Sequence, residues 1–489
     1  MKAILVATIG TRDLMYQTSS GQWYNIGNDQ MRADILTDQV EVSIDLGKEA
    51  LSFRDLTEFL ANHLDQYRER IRPVITGKLL KTHAADIDHV YLIGTDQLET
   101  VPQRDKDTLF ACQIFQDWFA QHYPHLHVDL ISLGNEGTDP TDFEAMFRWW
   151  QDIWPQIVGE DSESPIWLCI KGGVGQTAES GRISGLSQYG DRIQFFEFQE
   201  RRDKNIQGIP SDFTGPFSGT VYLWSRAKQQ ALQLLDRYDY AGAKDVLYPY
   251  YQRDSSGFGA LPTWLEAGMA WQRGEFKQFY QRAKSTLPAP AQRQTQQWWW
   301  IAYEQAQLAT IRLAQENTTE AMLHSFRTIE GTIWAWMATH IASHINHPPH
   351  RYPQLLASIT TLYPTLDKLF KPRFPNEVQK VSVNLNNHTQ QALIEVALPE
   401  TAHSPDLQAF WSEENRTLRN TLSHQLGGIS RLELLHAWGQ DIHRIDDWQR
   451  RLLNGLNLLT GQTFKSLEHA SLFTQVHQLA RQKVEVYQP

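Results

Sequence analysis

Short, nearly continuous apolar runs recur in the N-terminal part of the chain, at Ala3–Ile9, Val90–Ile93, Val128–Leu133, Ile166–Ile170 and Ile193–Phe198, separated by stretches in which apolar positions keep helical spacing. A strand that is apolar on both faces must be covered on both faces, as in a parallel sheet with helices above and below. The pattern predicts a doubly wound, Rossmann-like α/β unit. Several runs end in small or hydroxylated residues: Gly10-Thr11, Gly94-Thr95-Asp96, Gly134-Asn135 and Lys171-Gly172-Gly173. Ligands of such sheets sit beyond the carboxyl ends of the strands, where glycine admits close approach to the backbone and helix N-termini offer N–H groups to phosphate. These loops read as a site for a phosphorylated ligand.

After Phe198 the pattern changes. The breaker-rich segment 208–219 (GIPSDFTGPFSG) reads as a linker. Beyond it, Val221–Tyr238, Leu261–Arg273, Trp298–Leu313, Ala321–Ile345 and Gln354–Tyr363 carry apolar residues three and four apart and are expected as helices. Alternation at Val378–Leu385 and then Leu393–Leu398, around Asn386 and Asn387, predicts a small β-hairpin inserted in the helical part. The expected divisions are 1–207, α/β; 208–295, a helical connector; and 296–489, a helical effector.

Length and composition agree with this plan. At 489 residues the chain is long enough for about three units, and 41% hydrophobic against 21% charged residues excludes wholesale disorder. Forty-five Lys and Arg against 56 Asp and Glu give a net charge of -11, so any contact with nucleic acid has to be local. The two cysteines, Cys112 and Cys169, form neither a CxxC pair nor a zinc pattern, which fits a reducing compartment, the cytoplasm. The apolar run before Gly10 is too short for a signal peptide or a membrane span, so no membrane partner is expected.

Chemistry concentrates in Ser412–Gly428, which reads as a capped helix. Ser412 serves as N-cap, Glu413 and Glu414 suit the positive end, Leu418, Leu422 and Leu426 form an apolar stripe, and Gly427 ends it. Asn420 and His424, four apart, share a face; Arg419 lies about 140° around from His424, and its long stem allows its head to reach the same cleft. His424 falls in the last turn, where the helix dipole favours imidazolium. RNA carries its own nucleophile, the 2'-hydroxyl, so metal-free cleavage needs a group that moves protons and a cation that holds phosphorane charge. His424 and Arg419 have those capacities, with Asn420 orienting either. Arg431 and His436 repeat the spacing without the asparagine and read as packing or surface residues.

Arg419-Asn420-x3-His424 near the C-terminus, behind a Rossmann-like unit, resembles the CRISPR-associated CARF and HEPN ribonucleases of type III systems. Phe326-Arg327-Thr328-Ile329-Glu330 resembles the Arg-x-x-Glu helix of HEPN domains, Tyr238–Ala243 the connector helices, and the glycine loops the CARF ligand loops. The resemblance covers essentially the whole chain. It implies a CARF cyclic-oligonucleotide sensor over 1–207, a connector over 208–295 and a HEPN ribonuclease over 296–489. It further implies a homodimer whose two CARF domains bind one cyclic oligoadenylate, with tetra-adenylate favoured over hexa-adenylate by analogy. The two HEPN motifs would make one composite endoribonuclease site for single-stranded RNA, giving a 2',3'-cyclic phosphate, with no metal and no cofactor. The sensing residues it implies are Gly10, Thr11 and Arg12; Gly94, Thr95 and Asp96; and Lys171, Gly172, Gly173, Gln176 and Thr177. Ring-nuclease activity in the CARF domain would make the switch a timer, with Thr11, Thr95 and Lys171 as the first positions to test.

Other readings compete. Gly173-x-Gly175-x-x-Ala178, with Glu197 closing the next strand, fits a dinucleotide fingerprint, yet it follows a late strand where that fingerprint follows the first. His340 and His344 have metal-ligand spacing without an HExxH glutamate. Trp298-Trp299-Trp300 invites base stacking, although three adjacent helical residues point three ways. The main alternative is a non-catalytic CARF-type regulator whose helical part binds a protein.

Overall fold

The structure, a computed structural model, describes residues 1–29, 33–159, 163–371, 378–424 and 426–488. The chain packs as two compact units, Met1–Ser225 and Arg226–Pro489. Strands of the first unit are β1 (Ala3–Thr8), β2 (Leu14–Gln17), β3 (Trp23–Asn25), β4 (Ile71–Pro73), β5 (Ile87–Thr95), β6 (His127–Leu133), β7 (Ile166–Cys169), β8 (Ile193–Gln199) and β9 (Asp212–Ser218).

The main sheet runs β6-β5-β1-β7-β8-β9. Its first five strands are parallel and β9 is antiparallel to β8. All five parallel strands are the apolar runs of the sequence. Every residue of β1 is buried, and successive residues face opposite cores. Leu5 and Ala7 join Phe115 and Phe119 of the helix Leu109–His122, whereas Ile4 and Val6 join Trp150 and Trp154 of the helix Phe143–Val158. That second layer is completed by the helix Gly175–Tyr189, which approaches so closely that a Cβ on Gly181 would sit 2.7 Å from the Trp150 ring. The indole N–H groups of Trp150 and Trp154 donate to Thr177 O and Ser184 Oγ, each at 2.9 Å.

Three features depart from the sequence reading. The expected linker contains β9, an edge strand whose residues are mostly exposed and which carries Pro216. An edge tolerates proline and needs no apolar alternation, so nothing local announces it. The first unit accordingly extends to Ser225, past the expected boundary at 207. A small antiparallel sheet, β3-β2-β4, also went unforeseen.

In the second unit, β10 (Ile345–Asn346), β11 (Gln354–Leu356) and β12 (Ser382–Asn384) form the inserted β element. Its partners differ from those expected. Residues 393–397, read as a hairpin arm, belong to the helix Asn387–Ala397, because Asn386 caps it by accepting the Thr389 N–H at 3.0 Å. Likewise 354–363 is strand followed by 3₁₀ turn, not α-helix.

The remaining helices include Leu261–Gln272, Trp300–Ala314, Thr318–His340, Ile445–Thr460 and Leu472–Val486. Glu304 is fully buried among them. It accepts from Trp271 Nε1 at 2.8 Å, Trp300 Nε1 at 2.9 Å, Ser471 Oγ at 2.6 Å and Leu472 N at 2.8 Å. Residues 226–295 thus pack into one body with those after 296. Trp299 and Trp300 are buried, and Trp298 lies edge-on to His340, so the tryptophan run serves packing. Among the described residues no helix is long and apolar enough to cross a membrane.

Candidate functional site

In chain order the parallel strands fill the sheet outward from β1, first toward β6 and then, from β7, in the opposite direction. The loops after β1 and β7 therefore diverge and leave a crevice between them, the usual ligand position of an open α/β sheet. A cavity of about 630 Å³ lies there. Gly10, Thr11, Arg12 and Asp13 form one wall and Lys171 to Val174 the other, with Thr95 at the end of β5. The walls nearly touch at their base. A Cβ on Gly172 would stand 2.5 Å from Thr8 O and 2.7 Å from Gly10 N, and Thr8 Oγ1 donates to Gly172 O at 2.6 Å.

Seven of the sequence-selected ligand residues line the cavity: Gly10, Thr11, Arg12, Thr95, Lys171, Gly172 and Gly173. The other four lie outside its lining. Gly94 is a packing glycine, since a Cβ would meet Cys112 Sγ at 2.6 Å. Asp96 pairs with Arg54 at 2.8 Å. Thr177 is buried and donates to Pro140 O at 3.1 Å, and Gln176 is exposed on the following helix.

Sequence reasoning did not assign Asp13, Lys106, Thr108 and Glu200 to this site. Thr108 staples two strand ends, accepting the Thr95 N–H at 3.0 Å and donating to Ile9 O at 2.9 Å. Lys106 ends a 3₁₀ turn, Pro102–Lys106, that carries no strand-end signature.

The cavity's charges are mixed. Arg12, Lys106 and Lys171 supply exposed cations, and Glu200 an exposed carboxylate. Val174, the N-cap of the helix Gly175–Tyr189, makes no side-chain capping bond, which leaves first-turn N–H groups open to an anion. Asp13 is buried, accepts the Gly10 N–H at 2.6 Å, and is pushed by burial to a pKa of about 7. A neighbouring crevice of about 320 Å³ shares Thr95, Lys106 and Val174 and adds Gln97, Leu98 and Pro140.

The glycine contacts make a direct prediction. Gly172→Ala must push apart backbone atoms, which costs about 1–3 kcal/mol. Its chemical denaturation midpoint should fall, and it should lose binding of a crevice ligand in calorimetry.

The second candidate site is the helix Glu413–His424. Ser412 Oγ accepts the Asn415 N–H at 3.2 Å, as an N-cap does. Leu418 and Leu422 are half-buried, but Leu426 is 105% exposed; the last described helical residue is His424, so the expected stripe stops after two members. The guanidinium of Arg419 lies over the Phe326 ring at 4.3 Å, while its Nε is buried with no hydrogen-bond partner among the described residues. Phe326 itself is buried and packs on Phe410, ring centres 4.6 Å apart. Asn420 and His424 are exposed one turn apart. Among the described residues no side-chain hydrogen bond joins Arg419, Asn420 and His424 to one another. Arg327 is exposed on the adjacent helix, and Glu330 is half-buried. Nearby His324 is depressed to about 4 by burial, so it stays neutral at physiological pH.

No family model and no curated protein matches the sequence. A solved structure does: Csm6 of Enterococcus italicus, bound to cyclic hexa-2'-fluoro-hexa-dAMP, aligns over 99% of this chain and 100% of that one, with a TM-score of 0.61 at 12% identity. The fold is that of Csm6.

The Csm6 fold matches the order implied by the sequence, an α/β unit followed by a mostly helical one. It also bears on the competing motifs. The Gly173-x-Gly175 turn follows β7, the fourth parallel strand in the chain, and Glu197 on β8 lies opposite Thr214 of β9. In the helical unit the α-helix ends at His340. The ring of His340 stacks on Trp336, and His344 bonds Ser358 Oγ at 2.9 Å. Among the described residues no cluster of three or more His, Cys, Asp or Glu could hold a metal ion.

Proposed function

We propose that the chain is a ribonuclease of the CARF–HEPN kind, switched on by a cyclic oligoadenylate bound between the CARF-type units of a homodimer. The observation that carries the reading is the crevice at the switch point of the sheet, with Arg12, Lys106 and Lys171 on its walls, in a chain that shares its fold with a protein solved around a cyclic six-adenylate analogue. Arg12, Lys106, Lys171 and the open helix N-terminus would hold phosphates, and the adjoining crevice around Gln97 and Leu98 would take a base. The substrate is single-stranded RNA. Arg419 would hold the charge that develops on phosphorus, His424 would move the proton, and Asn420 would orient one of them, all without a metal.

Phe326 has a part in this arrangement. Stacking fixes the Arg419 head against a buried ring, and its terminal amino groups, which make no hydrogen bond among the described residues, would be the donors for a phosphate. His424, exposed and with no side-chain hydrogen bond among the described residues, would be completed by a second copy.

The test is cleavage of a fluorescent single-stranded RNA in EDTA, without activator and with cyclic tetra- or hexa-adenylate. Both rings are included because tetra-adenylate rests on analogy and the structural neighbour holds a six-membered ring. The expected result is cleavage that appears with one ring and survives EDTA. A strict metal requirement would overturn the mechanism. Ring binding with no cleavage would support the regulator that acts through a protein partner.

A further inference from the structure

We propose that Asp13 couples occupancy of the crevice to a proton: an anionic ligand entering the cavity makes the Asp13 carboxylate take up one proton from solvent, so affinity falls as pH rises. The inference rests on the crevice being the oligoadenylate site and adds its regulation.

The placement of Asp13 is unusual for a site that accepts a polyanion. The residue lines the cavity while it is only 3% exposed. The hydrogen-bond donor it meets is a neutral one, the Gly10 N–H at 2.6 Å, and among the described residues no cation is ion-paired with it. Gly172 is packed so tightly behind it that a Cβ there would collide with Asp13 Oδ2. The carboxylate is thus held between the Gly10 N–H and the Gly172 backbone.

The charged groups around it act in opposite directions. Burial raises the carboxyl most; the Gly10 N–H and the Lys171 ammonium lower it, and Glu200, on the same cavity, raises it again, leaving it at about 7. Arg12 and Lys106 stand on the walls. The neighbouring Cys112 and Cys169 thiols are pushed upward by burial and stay neutral. Asp13 is thus about half ionised at neutral pH before a ligand arrives.

A phosphodiester in the cavity is another negative charge beside a buried carboxyl, and like charge raises that carboxyl further. Binding therefore takes up a proton between the free value, about 7, and the higher bound value. Affinity is greatest on the acid side and declines above pH 7, by at most about tenfold per pH unit for one proton. Arginine, lysine and the phosphodiester do not titrate in that window, and no histidine lines the cavity among the described residues.

Isothermal titration of the full chain with cyclic tetra-adenylate, cyclic hexa-adenylate and inorganic triphosphate, in buffers of different ionisation heat, measures the proton directly. The expected result is uptake of up to about half a proton per chain near pH 7, rising at pH values between the free and the bound pKa. Asp13→Asn keeps the acceptor for Gly10 and cannot ionise, so uptake should vanish and the pH dependence of affinity flatten. Glu200→Gln, at an exposed position, should move the profile to lower pH and serves if Asp13→Asn does not fold. A ring that binds without proton uptake, or uptake unchanged in both variants, overturns the coupling while sparing the ligand reading. Triphosphate, whose own terminal ionisation falls near neutral pH, does the reverse if it binds with uptake that Asp13→Asn abolishes while no ring binds, and no binding of any probe removes both.

Discussion

His424→Ala should lower ring-activated RNA cleavage by about 10² to 10⁴-fold, the usual contribution of general acid–base catalysis, and leave ring affinity and unfolding midpoint unchanged. The separation of effects follows from placement. His424 is exposed in the last turn of its helix and makes no side-chain hydrogen bond among the described residues, so its removal strands no partner. Arg419→Ala should differ. It removes charge from the reaction and also uncovers Phe326, so a rate loss of about 10² to 10³-fold should come with measurable destabilisation. Arg419→Lys restores charge without the planar stack and is expected to recover stability only in part. Single-turnover cleavage beside denaturant melts checks both; undiminished cleavage in His424→Ala would mean that the reacting groups lie elsewhere.

Glu304→Ala should be the most destabilising single change in the helical unit. Four donors converge on this carboxylate: two indoles, the Ser471 hydroxyl and the Leu472 N–H that opens the helix Leu472–Val486. Burial raises its pKa, and these four donors oppose that shift. Alanine would leave every donor unpaired in the interior at roughly 1–3 kcal/mol each, partly relieved by entering water. A loss of about 3–5 kcal/mol is expected, against a usual total of about 5–15. Glu304→Gln retains an acceptor but turns an NH₂ group toward donors, so an intermediate loss in urea denaturation is the check. A neutral alanine variant would show that the four bonds merely replace equivalent bonds to water.

The Glu304 cluster also shows why residues 226–295 pack with those after 296 despite reading as a separate connector. Trp271 lies on one side of that boundary and Ser471 on the other. Nothing around position 304 in the sequence distinguishes a buried acceptor from a surface glutamate. The only local hint is Trp300, one helical turn earlier, and it acquires meaning only when the indole and the carboxylate are both known to be inside.

The sequence by itself determined the parts of this protein that arise from local, repeated chemistry. The parallel strands are legible from their apolar runs, β1 and β7 most plainly because they are apolar on both faces and only a doubly covered sheet accommodates such runs. The two glycine loops are legible because they end strands, and the Arg419–His424 helix because its cap and polar face lie within one short segment. Tertiary structure decided what depends on a distant partner. The β9 strand exists because β8 offers an open edge, not because 212–218 looks like a strand. Asn386 became a helix cap where alternation suggested a hairpin, since a capped helix buries Ala392, Leu393 and Ile394 together. Of the residues at strand ends, Gly94 and Asp96 turned to Cys112 and Arg54, while Thr95 between them reached the cavity. A strand end presents successive side chains to opposite sides, so one residue of register separates a ligand contact from a packing contact, and only the neighbouring helix settles which is which.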